Sequence, residues 1–489
     1  MTNSTSVEAL LDGLRAEIAR LPPGSRLPTS RELARRHKVG PVTVTKVFAQ
    51  LAAEGLVTTQ PGSGSYVAPR RPSRDGVPGD VSWQAVTLAG RGGAVHPGGP
   101  REGGSAPEAD DAPAALPEGG VLMAGGYLHR ALQPGKALGA ALARAARRPD
   151  AWDRAPTSGL APLRAIFAKL VGNGTTPEDV LVTGGGQGAL SMLFRALAAP
   201  GGPVLVESPT YPGALAAARA AGLRPIPVPM DQEGIRPDLL SDAFGMTGAR
   251  VLYCQPGCHN PTGTALSSER RHQIIDVVRA AGAFLVEDDF ARFLGHGRPV
   301  PRPLIGDDRD GAVIYLTSLT KPASPSLRIA AVISRGPVSR RLRDMRAIDD
   351  FFTARPLQEA AVELLSSPSW ERHRRALSAA LRERCGVLAG ALAAELPGWR
   401  LDRRPDAGLH LWVGLPPGLA DTAVADAARA HGVVVDAGHR YFPDEPPAHY
   451  LRLSFAAAAE PADLREGVRR LARAARTLGQ DVLEKRLTD

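Results

Sequence analysis

The pattern that most constrains the fold lies in the second half of the chain, where short apolar runs alternate with helix-like segments from Ala151 onward. The apolar runs are Val180–Thr183, Val204–Glu207, Pro225–Val228, Val251–Cys254, Phe284–Glu287, Val313–Leu316 and Ala330–Ser334. Helix-like segments such as Gln187–Leu197 and Glu269–Ala281 separate most of them. This alternation predicts an α/β fold with a mostly parallel sheet that helices cover on both faces. Ligands of such sheets bind beyond the carboxyl ends of the strands, so functional residues are expected there.

Lys321 lies just beyond the run Val313–Leu316, with hydroxyl groups at Ser318 and Thr320 and an arginine at Arg328. A lysine amine forms a Schiff base with an aldehyde, while hydroxyls and a guanidinium hold a phosphate. Pyridoxal phosphate carries both an aldehyde and a phosphate. The stretch therefore predicts a pyridoxal phosphate site, and the alternative is a pair of solvated surface charges.

Two loops after the first apolar runs carry residues suited to a flat, phosphorylated cofactor. The loop GGGQGAL opens a helix and predicts a phosphate cradle of backbone N–H groups at Gly185, Gly186 and Gln187. The loop ESPTYPG places the ring of Tyr211 where it can stack on the cofactor. The alternatives are a tight turn for the glycines and a core aromatic for Tyr211.

Two further loops place polar side chains at the same edge of the predicted sheet. Asn260, in CHNPTG, would hydrogen-bond the phenolic oxygen of the cofactor. Asp288, in EDDF, would pair with a protonated pyridine nitrogen and so make the ring an electron sink. A turn at Asn260 and a helix-capping acid at Asp288 are the alternatives. The order of these residues along the chain favours the cofactor site.

The first 71 residues read as a separate, basic domain. They hold ten Lys and Arg against five Asp and Glu, more than half of the net charge of +9, which predicts a polyanionic partner. Apolar residues predict a helix over residues 7–18, a short helix at Arg31–His37 and a third helix from Pro41. The segment LVTTQPGSGSYVA predicts two strands joined by a glycine-rich turn. Together these elements predict a winged helix-turn-helix.

Residues 7–68, with the run PPGSRLPTSRELARRHKVGPVTVTKVFAQLAAEGLVTTQPGSGSYVA, closely resemble the DNA-binding domain of the GntR family. The resemblance implies that double-stranded DNA is the partner. It implies that the DNA contacts come from Arg31, Thr43, Thr45, Lys46, Ser63 and Gly64. One departure is Pro41, where many members of the family carry an arginine, and it leaves the operator sequence open.

The segment 72–118 has a different composition, with nine glycines and seven prolines and little aliphatic periodicity. Such a segment cannot bury enough apolar surface to offset the entropy of ordering, so a flexible linker is predicted. The predicted organisation is a winged helix domain at 1–70, a linker at 71–118 and a cofactor-binding domain at 119–489.

Residues 120–480 resemble the fold-type I, class I aminotransferases, with TSGLAPLR, the loops described above and LRLSFA in the order of that family. The resemblance implies a smaller C-terminal α+β subdomain. It implies that Lys321 carries the cofactor and that Arg452 binds a carboxylate of a substrate or effector. With the N-terminal domain, the whole chain resembles the MocR subgroup of GntR regulators. This subgroup binds DNA as homodimers and senses a small amine or amino acid.

Two departures from the aminotransferase pattern bear on activity. Phe290 stands where the family usually has a tyrosine whose phenol donates to the ring oxygen of the cofactor, so slow or absent transamination is expected. Gly184 and Gly186 stand where hydroxyl residues are common, so affinity for the cofactor is expected to be reduced. Ser318 and Arg328 remain to hold the phosphate.

Composition limits the remaining classes. No apolar run approaches the roughly 18 residues of a membrane span, and the N-terminus lacks the plan of a signal peptide. We therefore expect a cytoplasmic protein that has no membrane partner. The chain has three cysteines, too few for a disulfide framework. Cys254, Cys258 and His259 lie close together without a second ligand cluster, which favours packing, and no metal is expected.

Three hypotheses for the function follow. The first is a transcriptional regulator in which a small amino compound, or pyridoxal phosphate itself, is sensed through Lys321. The second is an active aminotransferase with an accessory DNA-binding domain. The third is a degenerate domain that only dimerises, which the presence of Lys321, Asp288, Asn260 and Arg328 disfavours.

Overall fold

The computed structural model describes two parts of the chain. The described residues are 10–15, 17–18, 21, 24–37, 39–53, 56–60, 64–67 and 119–488. The chain divides into two compact units, Met1–Val81 and Ser82–Asp489. Ser63 and the predicted linker at 71–118 lie outside the described residues, so the predicted domain boundaries stay predictions.

The N-terminal unit is a winged helix-turn-helix, as predicted. Its elements are helical residues at 10–15 and 17–18, α1 (Ser30–His37), α2 (Pro41–Ala53), β1 (Val57–Gln60) and β2 (Gly64–Val67). The two strands form an antiparallel hairpin. Leu33, Val44 and Leu51 are fully buried in its core. Thr29 precedes α1 and forms a capping box with Glu32, whose backbone N–H donates to the Thr29 hydroxyl at 3.4 Å while its carboxylate accepts from the Thr29 N–H at 2.7 Å.

The larger unit contains a long sheet. The strands of this unit are β3 (Val121–Leu122), β4 (Val180–Thr183), β5 (Pro203–Ser208), β6 (Arg224–Asp231), β7 (Gly234–Ile235), β8 (Val251–Cys254), β9 (Phe284–Asp289), β10 (Val313–Ser318), β11 (Ala330–Ile333), β12 (His410–Gly414), β13 (Val433–Val434), β14 (Asp436–Ala437) and β15 (Tyr450–Ser454). Eight of them lie side by side in the order β4, β11, β10, β9, β8, β5, β6, β7. Only β7 and β11 run against their neighbours within this sheet. The predicted mostly parallel sheet is therefore confirmed.

Helices cover this sheet and build the C-terminal part. They are α3 (Gly135–Ala145), α4 (Ala161–Val171), α5 (Gly186–Leu197), α6 (Pro212–Ala220), α7 (Pro237–Thr247), α8 (Ser268–Ala280), α9 (Pro337–Asp349), α10 (Arg355–Leu365), α11 (Pro368–Glu395), α12 (Asp421–Ala430) and α13 (Pro461–Thr488). None of the helices in the described part of the chain is long and apolar enough to cross a membrane.

The central strands are apolar throughout because both faces of the sheet are covered. Leu205 and Val206 are neighbours in β5 and both are fully buried. Leu205 packs in a cluster with Phe167 from α4, whereas Val206 packs in another with Phe194 from α5. Successive side chains of a strand point to opposite faces, so an apolar run of this kind needs a helix layer on each side.

The C-terminal part is a smaller α+β subdomain, as the predicted fold class requires. Strands β12, β15 and β14 form an antiparallel sheet in that order. Strand β3 pairs with β13 in parallel, which places Val121 and Leu122 in this subdomain. Leu388 of α11 and Leu471 of α13 are fully buried in one cluster with Leu453 of β15. The α/β fold class with this architecture is confirmed.

Candidate functional site

Lys321 lies in the turn after β10, at the carboxyl end of the parallel strands. Its Nζ lies 3.7 Å from the centroid of the Tyr127 ring, a close cation–π contact. A Cβ added to Gly126 would come 3.2 Å from the same Nζ. The sequence analysis missed Tyr127. The available signal was the glycine pair Gly125–Gly126 just before it, which indicates a close approach of the backbone to another group.

Asp288 lies near the end of β9, beside Lys321, and is 8% exposed. Its Oδ2 accepts hydrogen bonds from Tyr253 Oη at 2.7 Å and from Gln255 Nε2 at 3.0 Å. No partner of Oδ1 lies among the described residues, which leaves this oxygen for a ligand. Burial raises the pKa of Asp288, while the hydrogen bonds and the charge of Lys321 oppose the rise. A cationic ligand group at Oδ1 would restore the ionised carboxylate.

Asn260 joins this carboxylate to the C-terminal subdomain. Its backbone N–H donates to Gln255 Oε1 at 2.9 Å, and its side-chain Oδ1 accepts from Arg452 Nη1 at 3.2 Å. Gln255 is 1% exposed and Asn260 7% exposed. Gln255, which the sequence analysis did not identify, therefore connects Asp288 and Asn260 through one amide. The structure thus brings together Lys321, Asp288, Asn260 and Arg452.

Arg452 lies in β15 with Asp436 of β14 as its cross-strand partner. Its Nη2 and Nε donate to the same carboxylate oxygen of Asp436, at 2.5 Å and 3.0 Å. The guanidinium carbon also lies 5.0 Å from the centroid of the Tyr441 ring. The predicted carboxylate-binding arginine is therefore in the site, but it already has an acidic partner that the sequence analysis did not identify.

The glycine-rich loop and Arg328, which are predicted to form a phosphate cradle, lie against each other. Gly185 caps the N-terminus of α5 with φ 107° and ψ 161°, a conformation open to glycine almost alone. A Cβ at Gly185 would come 2.3 Å from Arg328 Nη2, so the guanidinium lies directly on the glycine. Gly186, which follows Gly185, is the first residue of α5. Ser318 Oγ donates to Thr320 Oγ1 at 2.9 Å. A Cβ added to Gly186 would come 3.9 Å from Ser318 Cβ, so Ser318 lies at the N-terminus of α5 as well. Backbone N–H groups, a hydroxyl residue and a guanidinium therefore lie at one helix N-terminus.

Tyr211 and Gln187 are joined by a hydrogen bond next to the glycine-rich loop. Tyr211 Oη donates to Gln187 Oε1 at 3.2 Å, and Gln187 Nε2 donates to the Gly213 carbonyl at 2.7 Å. A Cβ at Gly213 would come 2.3 Å from Tyr211 Cζ, so the ring needs a glycine at that position. The ring is half-buried and packs against the apolar cluster that includes Ala214 and Leu215 of α6.

Buried acids surround the base of the site. Glu287 accepts from the Leu304 N–H at 2.8 Å, and burial raises the pKa of Glu287 to about 8. Burial also raises the pKa of Glu207 to about 7 and lowers the pKa of His259 to about 3. His259 Nε2 lies 3.5 Å from Glu207 Oε2. Burial thus favours the neutral form of each of these three groups.

The two cysteines near His259 pack in different environments. Cys254 Sγ contacts Glu207 Oε1 at 3.4 Å, and Cys258 Sγ contacts the Ala407 carbonyl at 3.2 Å. Among the described residues, no group of three or more His, Cys, Asp and Glu side chains is arranged to hold a metal ion.

Phe290 is half-buried against the apolar cluster of the C-terminal subdomain. Its ring has no hydroxyl to donate.

The predicted DNA-contacting residues lie on the N-terminal unit. Thr45 and Lys46 are exposed on α2, and Thr43 on the same helix is half-buried. Arg31 is the second residue of α1, and Gly64 begins β2 of the hairpin. Thr45 and Lys46 are neighbours in the sequence, so they project from adjacent faces of the helix. The contacts of all these residues with DNA stay predictions.

Two family models match the chain. The model "Aminotransferase class I and II" matches residues 122–471, and the model "Bacterial regulatory proteins, gntR family" matches residues 7–67. Among curated relatives, the 2-aminoadipate transaminase of Thermus thermophilus is 34% identical over 365 residues, which cover 73% of this chain and 91% of the relative. The "Probable rhizopine catabolism regulatory protein MocR" of Rhizobium meliloti is 28% identical over 471 residues, which cover 94% of this chain and 92% of the relative.

A solved structure shows the same fold. The α-aminoadipate aminotransferase LysN of Thermus thermophilus, in complex with N-(5'-phosphopyridoxyl)-L-leucine, matches with a TM-score of 0.69 and 33% identity. The match covers 74% of this chain and 93% of that chain. The regulator matches along 94% of this chain, whereas the two transaminases match 73% and 74% of it. The chain therefore belongs to the aminotransferase class I and II family, and the gntR segment that precedes the family domain gives it the architecture of the MocR-type regulators.

Proposed function

We propose that the protein is a transcriptional regulator that binds double-stranded DNA through its N-terminal unit and senses a small amine or amino acid through its aminotransferase-like unit. The observation that carries the proposal is the joining of a gntR segment and an aminotransferase domain in one chain. A regulator relative shares both segments over 94% of this chain. Such a regulator acts where the DNA lies, so we place it in the cytoplasm.

The cofactor of this unit is pyridoxal 5'-phosphate, and the residues present fit it. The observation that supports this fit is at Gly185, where an added Cβ would come 2.3 Å from Arg328 Nη2, so only a glycine leaves the guanidinium its place at the N-terminus of α5. When bound, pyridoxal phosphate supplies an aldehyde that reacts with primary amines and a ring that accepts electrons. We propose that the N–H groups of Gly185, Gly186 and Gln187 hold the phosphate together with Ser318 and Arg328.

The remaining residues of the site have distinct proposed roles. Lys321 attaches the cofactor through Nζ, which lies 3.7 Å from the centroid of the Tyr127 ring before the cofactor binds. Asp288 keeps a proton on the pyridine nitrogen, because a buried carboxylate with a free oxygen is stabilised by a cation beside it. Asn260 donates to the ring oxygen and Tyr211 stacks on the ring.

We propose that the effector's amino group takes the place of Lys321 Nζ, with Arg452 as the contact for any carboxylate it carries. Lys321 Nζ then leaves its position over the Tyr127 ring, and we propose that this movement changes the affinity for DNA. Pyridoxal phosphate itself is the other proposed signal. We propose a homodimer as the DNA-binding form, since operators read by such domains are commonly two half-sites.

A second candidate function is transamination. The observation that favours it is the 34% identity with a 2-aminoadipate transaminase, together with the retained lysine. Phe290 opposes it, because its ring cannot donate a hydrogen bond. The absorbance change on adding an amino acid and a keto acid separates the two functions, since repeated turnover occurs only in an aminotransferase.

The test of the regulator proposal uses the full chain and DNA duplexes enriched from a random pool by binding to it. The expected result is a fixed sequence motif whose affinity changes when pyridoxal phosphate and amines are added.

In parallel, borohydride reduction should fix the cofactor on Lys321, and Lys321→Ala should lose the visible absorption band. Failure to enrich any motif would contradict the DNA-binding role, and a band that persists in Lys321→Ala would show that another lysine carries the cofactor.

A further inference from the structure

The acidic partner of Arg452 is a fixed part of the site wall. Asp436 Oδ2 accepts from Arg452 Nη2 at 2.5 Å, from Arg452 Nε at 3.0 Å and from the Gly125 N–H at 3.0 Å. The side chains of Arg452 and Asp436 are 7% and 13% exposed. Gly125 lies just before Gly126 and Tyr127, which both lie close to Lys321 Nζ. The carboxylate of Asp436 is thus held from two sides and is not a solvated charge free to swing away.

The pairing of Arg452 with Asp436 occupies the Nε and Nη2 edge of the guanidinium, where a carboxylate can accept two hydrogen bonds. An arginine has five N–H groups. Of these, one on Nε and one on Nη2 donate to Asp436, and one on Nη1 donates to Asn260. The positive charge of Arg452 is therefore already neutralised at contact distance. A ligand carboxylate that approached the remaining N–H groups would also approach the negative charge of Asp436.

We propose that Asp436 determines specificity, so that the site selects primary amines whose amine-bearing carbon has no carboxylate over α-amino acids. The inference rests on the proposed function, since it concerns the effector of the same site. An amine of this class leaves the Asp436–Arg452 pair intact. An α-amino acid either meets the charge of Asp436 or displaces it. Displacement breaks the bonds to Arg452 and Gly125 and leaves a carboxylate unpaired in a mostly buried place.

Asp436 limits what Arg452 can bind. The guanidinium of Arg452 binds a carboxylate on the amine-bearing carbon only when residue 436 carries no negative charge. The variant Asp436→Asn isolates this effect, because asparagine keeps an oxygen that can accept from Arg452 and Gly125 but has no negative charge. In this variant the positive charge of Arg452 is available to a ligand.

The experiment compares ligands that differ only by the carboxylate. Full-length protein loaded with pyridoxal phosphate is titrated with L-leucine and with 3-methylbutylamine, and the change in visible absorbance gives a Kd for each. The wild-type protein is expected to bind 3-methylbutylamine more tightly than L-leucine. Asp436→Asn is expected to shift the ratio of the two Kd values towards L-leucine by on the order of tenfold or more.

Asp444→Asn is the matched control, because Asp444 is an exposed acid of the same subdomain and should leave the ratio unchanged. If circular dichroism shows that Asp436→Asn does not fold, Asp436→Ser replaces it. An unchanged ratio in the Asp436 variant, or a wild-type preference for L-leucine, overturns the inference.

Absence of the absorption band would count against the proposed cofactor, not against the role of Asp436. The two ligands are then ranked by the thermal stabilisation that they give the unloaded full chain. Greater stabilisation by 3-methylbutylamine than by L-leucine, lost in the Asp436 variant, supports the inference. Equal stabilisation by both ligands, including none by either, overturns it.

Discussion

The cradle at the N-terminus of α5 makes a quantitative prediction for Gly185→Ala. Gly185 has φ 107° and ψ 161°, a region that costs a residue with a Cβ about 1–3 kcal/mol. The added Cβ would also lie 2.3 Å from Arg328 Nη2. The guanidinium is the end of a flexible side chain, so it can move away. The strain of the backbone should therefore lower stability, while the displacement of Arg328 should lower phosphate affinity.

The two effects have similar expected magnitudes but change different measured quantities. Loss of hydrogen bonds from a guanidinium to a phosphate costs about 1.5–3 kcal/mol, which corresponds to roughly a tenfold to hundredfold weaker Kd for pyridoxal phosphate. The unfolding free energy should fall by about 1–3 kcal/mol from the backbone strain alone. Gly188→Ala is the matched control, because no atom lies within 4 Å of its added Cβ. Alanine within a helix should raise stability by about 0.5–1 kcal/mol.

The assay follows from where the tryptophans lie. All five belong to the unit Ser82–Asp489, at Trp83, Trp152, Trp370, Trp399 and Trp412. Urea unfolding followed by tryptophan fluorescence therefore reports on the larger unit without a signal from the N-terminal unit. Cofactor Kd is measured separately by absorbance titration. Equal stability of the Gly185→Ala and Gly188→Ala variants would refute the strain argument, and a wild-type Kd in Gly185→Ala would refute the role of Arg328.

Two further predictions concern DNA binding and pH. Lys46→Ala should weaken binding to the enriched duplex and lower the salt dependence of log K by about one unit of slope, whereas Lys169→Ala, an exposed lysine of the larger unit, should change neither. The pKa of Glu287 rises from 4.5 to about 8 on folding, so its contribution to stability is complete below pH 4.5 and is lost as the pH rises towards 8. Glu287→Gln keeps an acceptor for the Leu304 N–H, so in urea titrations its unfolding free energy should fall less steeply with pH. A pH dependence equal to that of the wild-type protein would contradict the raised pKa of Glu287.

Much of the site could be predicted because its residues follow buried strands. Asp288 comes directly after an apolar run, and Lys321 and Asn260 lie in the loops that follow two others. The carboxyl ends of parallel strands share one edge of the sheet. The ends of the strands were harder to predict. The apolar run Val313–Leu316 continues as strand through Ser318, because Thr317 pairs with Asp289 and Ser318 with Ala330. Polar residues stayed in the strand since both neighbouring strands supplied partners.

Other residues of the site had no local signal. Tyr127 and Lys321 are far apart in the sequence, and long-range contacts bring them together. These contacts include the parallel pairing of β3 with β13 and the hydrogen bond from the Gly125 N–H to Asp436. Asp436 belongs to a strand of two residues, Asp436–Ala437, which is too short to show periodicity. Its pairing with Arg452 depends on the register of β14 with β15. Sequence reasoning therefore identified the arginine but not the charge that neutralises it.

The amide of Gln255 shows why the effector contact and the cofactor contact act as one unit. Its Nε2 donates to the Asp288 carboxylate at 3.0 Å, while its Oε1 accepts from the Asn260 N–H at 2.9 Å. The opposite orientation of the amide would place an oxygen against the carboxylate and an N–H against an N–H, so only one orientation is stable. Asn260 in turn accepts from Arg452 at 3.2 Å. A ligand that draws Arg452 away from Asn260 thus removes a hydrogen bond from the same buried network that fixes Asp288, and a change of charge at Asp436 reaches the cofactor site through these side chains.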